Sequence, residues 1–144
     1  MTSDIETFVT WFDRVWSKRE VTAIDAMLVP DGGYVGLASG EKPIGPAEFK
    51  VFHELLCRLM RDIEVRFDHH VQADGWIALM MTFSGKSVAT GAPVSTRGSI
   101  HARVAQGRIV EAHNFFDFIK LFGDLGLMPS DAFVRCLQGE MLCG

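Results

Sequence analysis

Glu111, His113 and Asp117 stand at even intervals along one short stretch, "RIVEAHNFFDF", Arg108 to Phe118. Two carboxylates and an imidazole on an otherwise apolar run are groups from which general acid/base catalysis is built. A strand sends alternate side chains to the same face, so an extended Arg108–Phe118 segment places all three on one side. A carboxylate on an apolar wall sheds hydration and holds its proton more tightly, which suits an acid or base working near neutrality.

The partner strand is read from the turn. Gln106-Gly107 has the composition of a two-residue hairpin turn. Counting outward from it pairs Ala105 with Arg108, Val104 with Ile109, Ala102 with Glu111, Ile100 with His113, Gly98 with Phe115 and Thr96 with Asp117. That face is small or apolar apart from the three ionisable groups, which describes a pocket wall. The other face pairs Arg103 with Val110, His101 with Ala112, Ser99 with Asn114 and Arg97 with Phe116. It carries the arginines and reads as the solvent or subunit side. Asp117 has a second reading, because it stands where the strand gives way to "FIKLFGDLG" and Asp is a favoured helix N-cap. His113 is either a catalytic or a satisfied core histidine, and Glu111 reads as a solvated rim carboxylate.

The elements that must position these residues follow from periodicity. Ser3 and Glu6 have capping-box spacing, and Ile5, Phe8, Val9, Phe12, Val15 and Trp16 continue an amphipathic helix to about Lys18. A helical turn over Ala23–Leu28, a break at "PDGG", a short strand at Tyr34–Leu37 and a loop at "SGEKPIGP" come next. Pro46 opens a second helix whose apolar stripe runs from Phe49 to Ile63. The period then falls to two. "IEVRFDHHVQA", "WIALMMTFSG" and "VSTRGSIHARVA" read as long strands, with Asp74-Gly75 turning the first hairpin. A final helix capped by Ser130 closes the chain. Helices first and hairpins after predict one α+β domain over residues 1–144, with helices on one face of the sheet.

Further pocket residues follow from this layout. His69 falls opposite Met80, on the face with Val65, Phe67 and Val71, and so lines the pocket. Its neighbour His70 points the other way, which argues against a shared metal in "DHH". Tyr34, the single tyrosine, stands near the pocket mouth with a hydroxyl that could orient a ligand. Trp11 lies off the main helical stripe and projects toward the pocket or a subunit contact. Phe115 and Ile100 supply apolar wall. His101 falls on the arginine face, and His53 fills a gap on its helix. No metal site is expected.

The run Ile109–Pro129, "IVEAHNFFDFIKLFGDLGLMP", has the form Ile-Val-Glu-x-His-Asn-x-x-Asp, then an apolar turn ending in Leu-Gly and Pro. It resembles the SnoaL-like group of the nuclear transport factor two-like superfamily. The resemblance implies a cone-shaped, curved antiparallel sheet wrapped around N-terminal helices, with an internal pocket and a homodimeric assembly. It implies polyketide cyclase-like or isomerase-like chemistry on a small hydrophobic carbonyl compound. An Asp at the place of Asp117 would act as acid/base in an intramolecular aldol closure, with no metal or organic cofactor. His113 stands where many relatives have Trp. Epoxide hydrolysis is set aside, because the strand "IALMMTF" lacks the Arg and Asp that chemistry uses. The rival function is a non-catalytic ligand binder or dimeric interaction module, or a scaffold whose interior is filled by phenylalanine.

Composition bounds the partners. The formal net charge of -4 and the absence of a basic cluster argue against nucleic acid. No run is long and apolar enough for a bilayer, and the N-terminus does not read as an export signal. Three cysteines without a CxxC pair fit reduced thiols, so the expected compartment is cytoplasmic.

Overall fold

The computed structural model describes residues 3–37 and 42–143. Ala38 to Glu41 lie outside the described residues, and with them the start of the expected "SGEKPIGP" loop.

Helix α1 (Asp4–Trp11) opens with the expected capping box: Ser3 Oγ accepts from the Glu6 N–H, and the Glu6 carboxylate accepts from the Ser3 N–H. The helix does not run on to Lys18 as an α-helix. From Phe12 to Ser17 it widens into a π-helix, closed by the Lys18 N–H on the Asp13 carbonyl at 2.8 Å. A turn closed five residues on brings Trp11 and Trp16 toward the same side, and both are buried with Phe12 and Val15. Helix α2 (Val21–Met27) follows, then β1 (Leu28–Val35). The "PDGG" segment lies inside β1 as an irregularity between Leu28 and Gly33, where a break in the chain was expected.

Helix α3 (Pro46–Leu59) starts on Pro46, whose missing N–H costs nothing in a first turn. It ends four residues before Ile63, and Met60 already belongs to β2 (Met60–Ala73). Strands β3 (Trp76–Ser87), β4 (Pro93–Ala105) and β5 (Arg108–Phe116) follow. Both two-residue turns form as expected. Asp74 and Gly75, and Gln106 and Gly107, all have positive φ, as the tight hairpin turn requires. Helix α4 (Phe118–Asp124) leaves the sheet. The last helix, α5 (Ala132–Leu137), is shorter than expected and carries Asp131, not Ser130, at its N-cap, with no side-chain cap bond. Gly139, at φ 82°, follows its end.

The sheet runs β1-β5-β4-β3-β2, curved and unclosed. Its hairpins are antiparallel as expected, but β1 joins β5 in parallel. The inner face is packed by the N-terminal helices through aromatic contacts. Trp16 meets Phe83 of β3 at 5.3 Å and Phe49 of α3 at 6.1 Å, and Trp11 meets Phe49 at 5.2 Å. Ile77, Leu79, Met81 and Phe83 alternate inward along β3 and are buried, whereas Met80 is exposed on the other face.

Two bulges decide which side chains join that inner face. In β5, Ile109 pairs with Val104 but Glu111 pairs with Arg103, so Val110 is one residue too many. Beyond it the expected register is overturned: Ala112 pairs with Ala102, His113 with His101, Asn114 with Ile100, Phe115 with Ser99 and Phe116 with Gly98. In β2, Phe67 pairs with Met81 but His69 pairs with Met80, leaving Asp68 as the extra residue. An extra residue flips every later side chain to the opposite face. It sends Glu111, His113 and Phe115 outward in β5, and His69 outward in β2.

Candidate functional site

Between the N-terminal helices and the inner sheet face lies a cavity of about 50 Å³. Trp11, Phe12 and Trp16 reach it from the first helical segment, and Phe49, Phe52 and Leu56 from α3. Phe83, Thr96, Ile100, Ala112, Asn114 and Phe116 reach it from the sheet. Among the described lining residues there is no carboxylate, imidazole, amine or thiol. Besides the indole N–H groups of Trp11 and Trp16, the polar side chains are Tyr34, Thr96 and Asn114. Ligand pockets commonly have several hundred Å³, so this one is narrow and mostly occupied by aromatic rings. A ligand of more than a few heavy atoms enters only as some of those rings rotate.

The three polar groups differ in what they have left to offer. Tyr34 is 2% exposed. Its hydroxyl accepts from the Val29 N–H at 3.0 Å and donates to the Ile109 carbonyl at 2.6 Å. Burial pushes its pKa up to about 12. The ring lines the cavity, but the hydroxyl is spent on tying β1 to β5. Thr96 donates to the Asp117 carbonyl at 2.8 Å. Asn114 donates from Nδ2 to the Val35 carbonyl at 2.9 Å, and its Oδ1 has no hydrogen bond among the described residues.

The expected acid/base residues lie elsewhere. Asp117 is exposed and is the N-cap of α4, accepting from the Lys120 N–H at 3.0 Å. This is the cap geometry that its position after a strand suggested. Its neighbours Phe116 and Phe118 both line the cavity. His113 is half-buried on the outer face, where its Nε2 lies 2.7 Å from a Glu111 carboxylate oxygen. Trp76 is beside it at 6.1 Å, with the Arg103 guanidinium 5.7 Å from the Trp76 ring. Phe115 is 62% exposed on that outer face, against the His101 ring. His69 is exposed beside Met80. Of the expected pocket residues, Trp11, Tyr34 and Ile100 are brought together at the cavity. His69, His113 and Phe115 are not.

Sequence reasoning placed Asn114 on the arginine face and so missed it as a lining residue. The available signal was Ile109, Ala112 and Phe116. No unbroken strand puts these three on one face, but a strand with one extra residue does.

His53, expected as a gap filler, does more. It is 3% exposed and its Nε2 lies 2.7 Å from the Val15 carbonyl, inside the π-helix, where a donated N–H satisfies that oxygen. Its ring packs on Trp16 at 4.7 Å. Burial lowers its pKa, with the bond to Val15 acting against that shift. No group of three His, Cys, Asp or Glu that could hold a metal is found among the described residues. Cys57, Cys136 and Cys143 are free. No helix is long and apolar enough to cross a membrane.

An inner sheet face packed by N-terminal helices around an aromatic cavity defines a conical α+β pocket domain. The chain belongs to the SnoaL-like domain family, whose profile matches residues 8–112. Solved structures agree in fold. A candidate polyketide cyclase from Acidithiobacillus ferrooxidans superposes with a TM-score of 0.70 at 15% identity, covering 88% of this chain and 98% of that one. A candidate polyketide cyclase from Streptomyces antibioticus gives 0.70 at 16% identity, covering 86% and 99%. A protein with a ketosteroid isomerase-like fold from Catenulispora acidiphila, solved in complex with trimethylamine, gives 0.71 at 18% identity, covering 91% and 98%. No curated protein sequence matches this chain.

Proposed function

We propose that this chain binds one small, mainly apolar molecule in the inner cavity, with Trp11, Ile100 and the Tyr34 ring among its contacts. The observation that carries this reading is the lining: aromatic and aliphatic walls, a few polar groups and no carboxylate, imidazole, amine or thiol among the described residues. Such a wall supplies affinity and shape but no proton. A ligand that binds only the folded state raises the midpoint of unfolding, by an amount that grows with the logarithm of its concentration above Kd. Toluene, titrated into the full chain and followed by thermal unfolding, is expected to raise Tm in this way. Ala112→Leu fills the cavity from β5 and is expected to remove that rise while circular dichroism stays native. An unchanged rise in Ala112→Leu places the toluene elsewhere and ends the reading. The exposed Trp76, Met80 and Phe115 on the outer sheet face are where we place a homodimer contact.

One observation favours a second, catalytic reading. Asp117 is held between two cavity-lining phenylalanines, and its carboxylate is tied by a single backbone N–H. For catalysis the carboxylate would have to leave Lys120 and reach the cavity, to act there as a lone acid/base for a cyclase- or isomerase-type reaction on a carbonyl compound. The pair expected of Asp117 and His113 then reduces to Asp117 alone. Asp117→Asn separates cap from acid, because Asn and Asp cap helices comparably. The readout is deuterium exchange next to the carbonyl of cyclohexanone, followed by NMR. Exchange lost at unchanged Tm supports catalysis; exchange equal to the native chain, or no catalysed exchange in either, leaves Asp117 as a cap.

A further inference from the structure

We infer that Asn114 is the polar anchor of the cavity, and that it selects an apolar ligand carrying one hydrogen-bond donor: a hydroxyl, an enol or an amide N–H. This rests on the ligand-binding reading above and names the chemistry of its occupant.

The argument starts from what each lining group has already spent. The Tyr34 hydroxyl has donated to Ile109 and accepted from Val29. The Thr96 hydroxyl has donated its proton to the Asp117 carbonyl and keeps only hydroxyl lone pairs, weaker acceptors than an amide oxygen. Asn114 has spent only one end. A backbone carbonyl can only accept, so the 2.9 Å contact with Val35 must be made by the amide nitrogen. That contact settles the orientation of the amide: nitrogen toward β1, oxygen at the other corner. Asn114 alternates with Ala112 and Phe116, which also line the cavity, and pairs across the ladder with buried Ile100. Its Oδ1 is therefore an acceptor held on a wall of rings and methyl groups. Its holder is stiff, because the same side chain bridges β5 to β1, so little ordering remains to be done on binding.

An acceptor in that place discriminates by chemistry. Ethers, thioethers and carbonyl oxygens bring only lone pairs and leave Oδ1 dry and unpaired. An O–H or N–H group satisfies it while losing its own water. Sites built around one such bond reject the analogue that lacks it far better than apolar walls distinguish a methyl group. A carbonyl compound meets this requirement as its enol, or through a hydroxyl elsewhere on its frame.

Phenol and toluene form the test pair, near-equal in shape and different by one O–H. Their dissociation constants are measured on the full chain by NMR titration. A dry apolar cavity without an acceptor takes toluene and refuses phenol, since the hydroxyl is desolvated without return. Phenol is expected to bind more tightly than toluene and to shift the Asn114 side-chain amide resonances. Tighter binding of toluene overturns the anchor while leaving the cavity reading intact. Saturable binding of neither overturns both. Asn114→Leu is expected to weaken phenol about tenfold relative to toluene, the usual worth of one hydrogen bond, so that the preference for phenol is lost. The native pair decides the question even where that variant, lacking its bond to β1, fails to fold.

Discussion

The two faces of the β4–β5 hairpin carry the same number of strands and opposite chemistry. Inside are Ile100, Ala102, Ile109 and Ala112, buried and apolar, with Asn114 the exception. Outside are Arg103, Glu111 and His113, joined by a hydrogen bond and an ion pair, and His101 against the Phe115 ring, all at least partly open to water. The outer face has the residues a chemist would choose for proton transfer, but water screens their charges and no enclosed space faces them. The inner face has the enclosed space but no carboxylate, imidazole, amine or thiol among the described residues that line it. Chemical residue type and functional location have come apart, and a single extra residue, Val110, separates them.

Substitutions on either face sharpen the contrast, and the inner face should dominate. Trp16→Ala removes a ring packed on Phe49, Phe52, His53 and Phe83, and should cost about 3–5 kcal/mol in chemical denaturation. A loss near zero would mean that the aromatic packing does not hold the helices to the sheet. His53→Leu should cost less, about 1–3 kcal/mol, because it leaves the buried Val15 carbonyl without a donor. Its effect also depends on pH. His53 titrates below its ordinary value of 6.5 in the folded chain, so below that pH the unfolded chain binds the additional proton. Stability from the neutral ring is present above pH 6.5 and lost as pH falls through the depressed pKa. The native chain should therefore lose more stability than His53→Leu between pH 7.5 and 5, and parallel pH profiles would refute this. The smallest effect belongs outside. Glu111→Gln loosens contacts with half-exposed His113 and Arg103 and should change stability by only about 0.2–1 kcal/mol, reduced further by salt.

Much of the architecture was legible in the chain. Ser3 and Glu6 announced a helix start, Pro46 another, and Asp74-Gly75 and Gln106-Gly107 each located a hairpin turn to the residue. These are local signals, settled by backbone conformations that only certain residues adopt cheaply. The first register pairs beside each turn also held, from Ala73 with Trp76 to His69 with Met80 and from Ala105 with Arg108 to Val104 with Ile109. Trp11, Tyr34 and Ile100 line the cavity, at positions that depend on local periodicity or on burial.

What failed in the sheet register was the facing of side chains beyond a bulge. Alternation over "EAHNFF" fits either face, because Phe115 and Phe116 are adjacent and equally apolar. Nothing local says that Phe116 will fold over Gly98, where a Cβ atom would run into its ring. Likewise "FDHH" does not reveal that Asp68 will accept from Arg66 and Thr82 and leave the ladder for them. The chain by itself determined the elements, their order, the turns and the fold family, since propensity, capping and turn chemistry act over a few residues. Tertiary structure alone decided which face of β5 meets the helices. That choice is the summed burial of Ala112, Phe116 and their neighbours against the aromatic helices, and no single residue along the strand carries it.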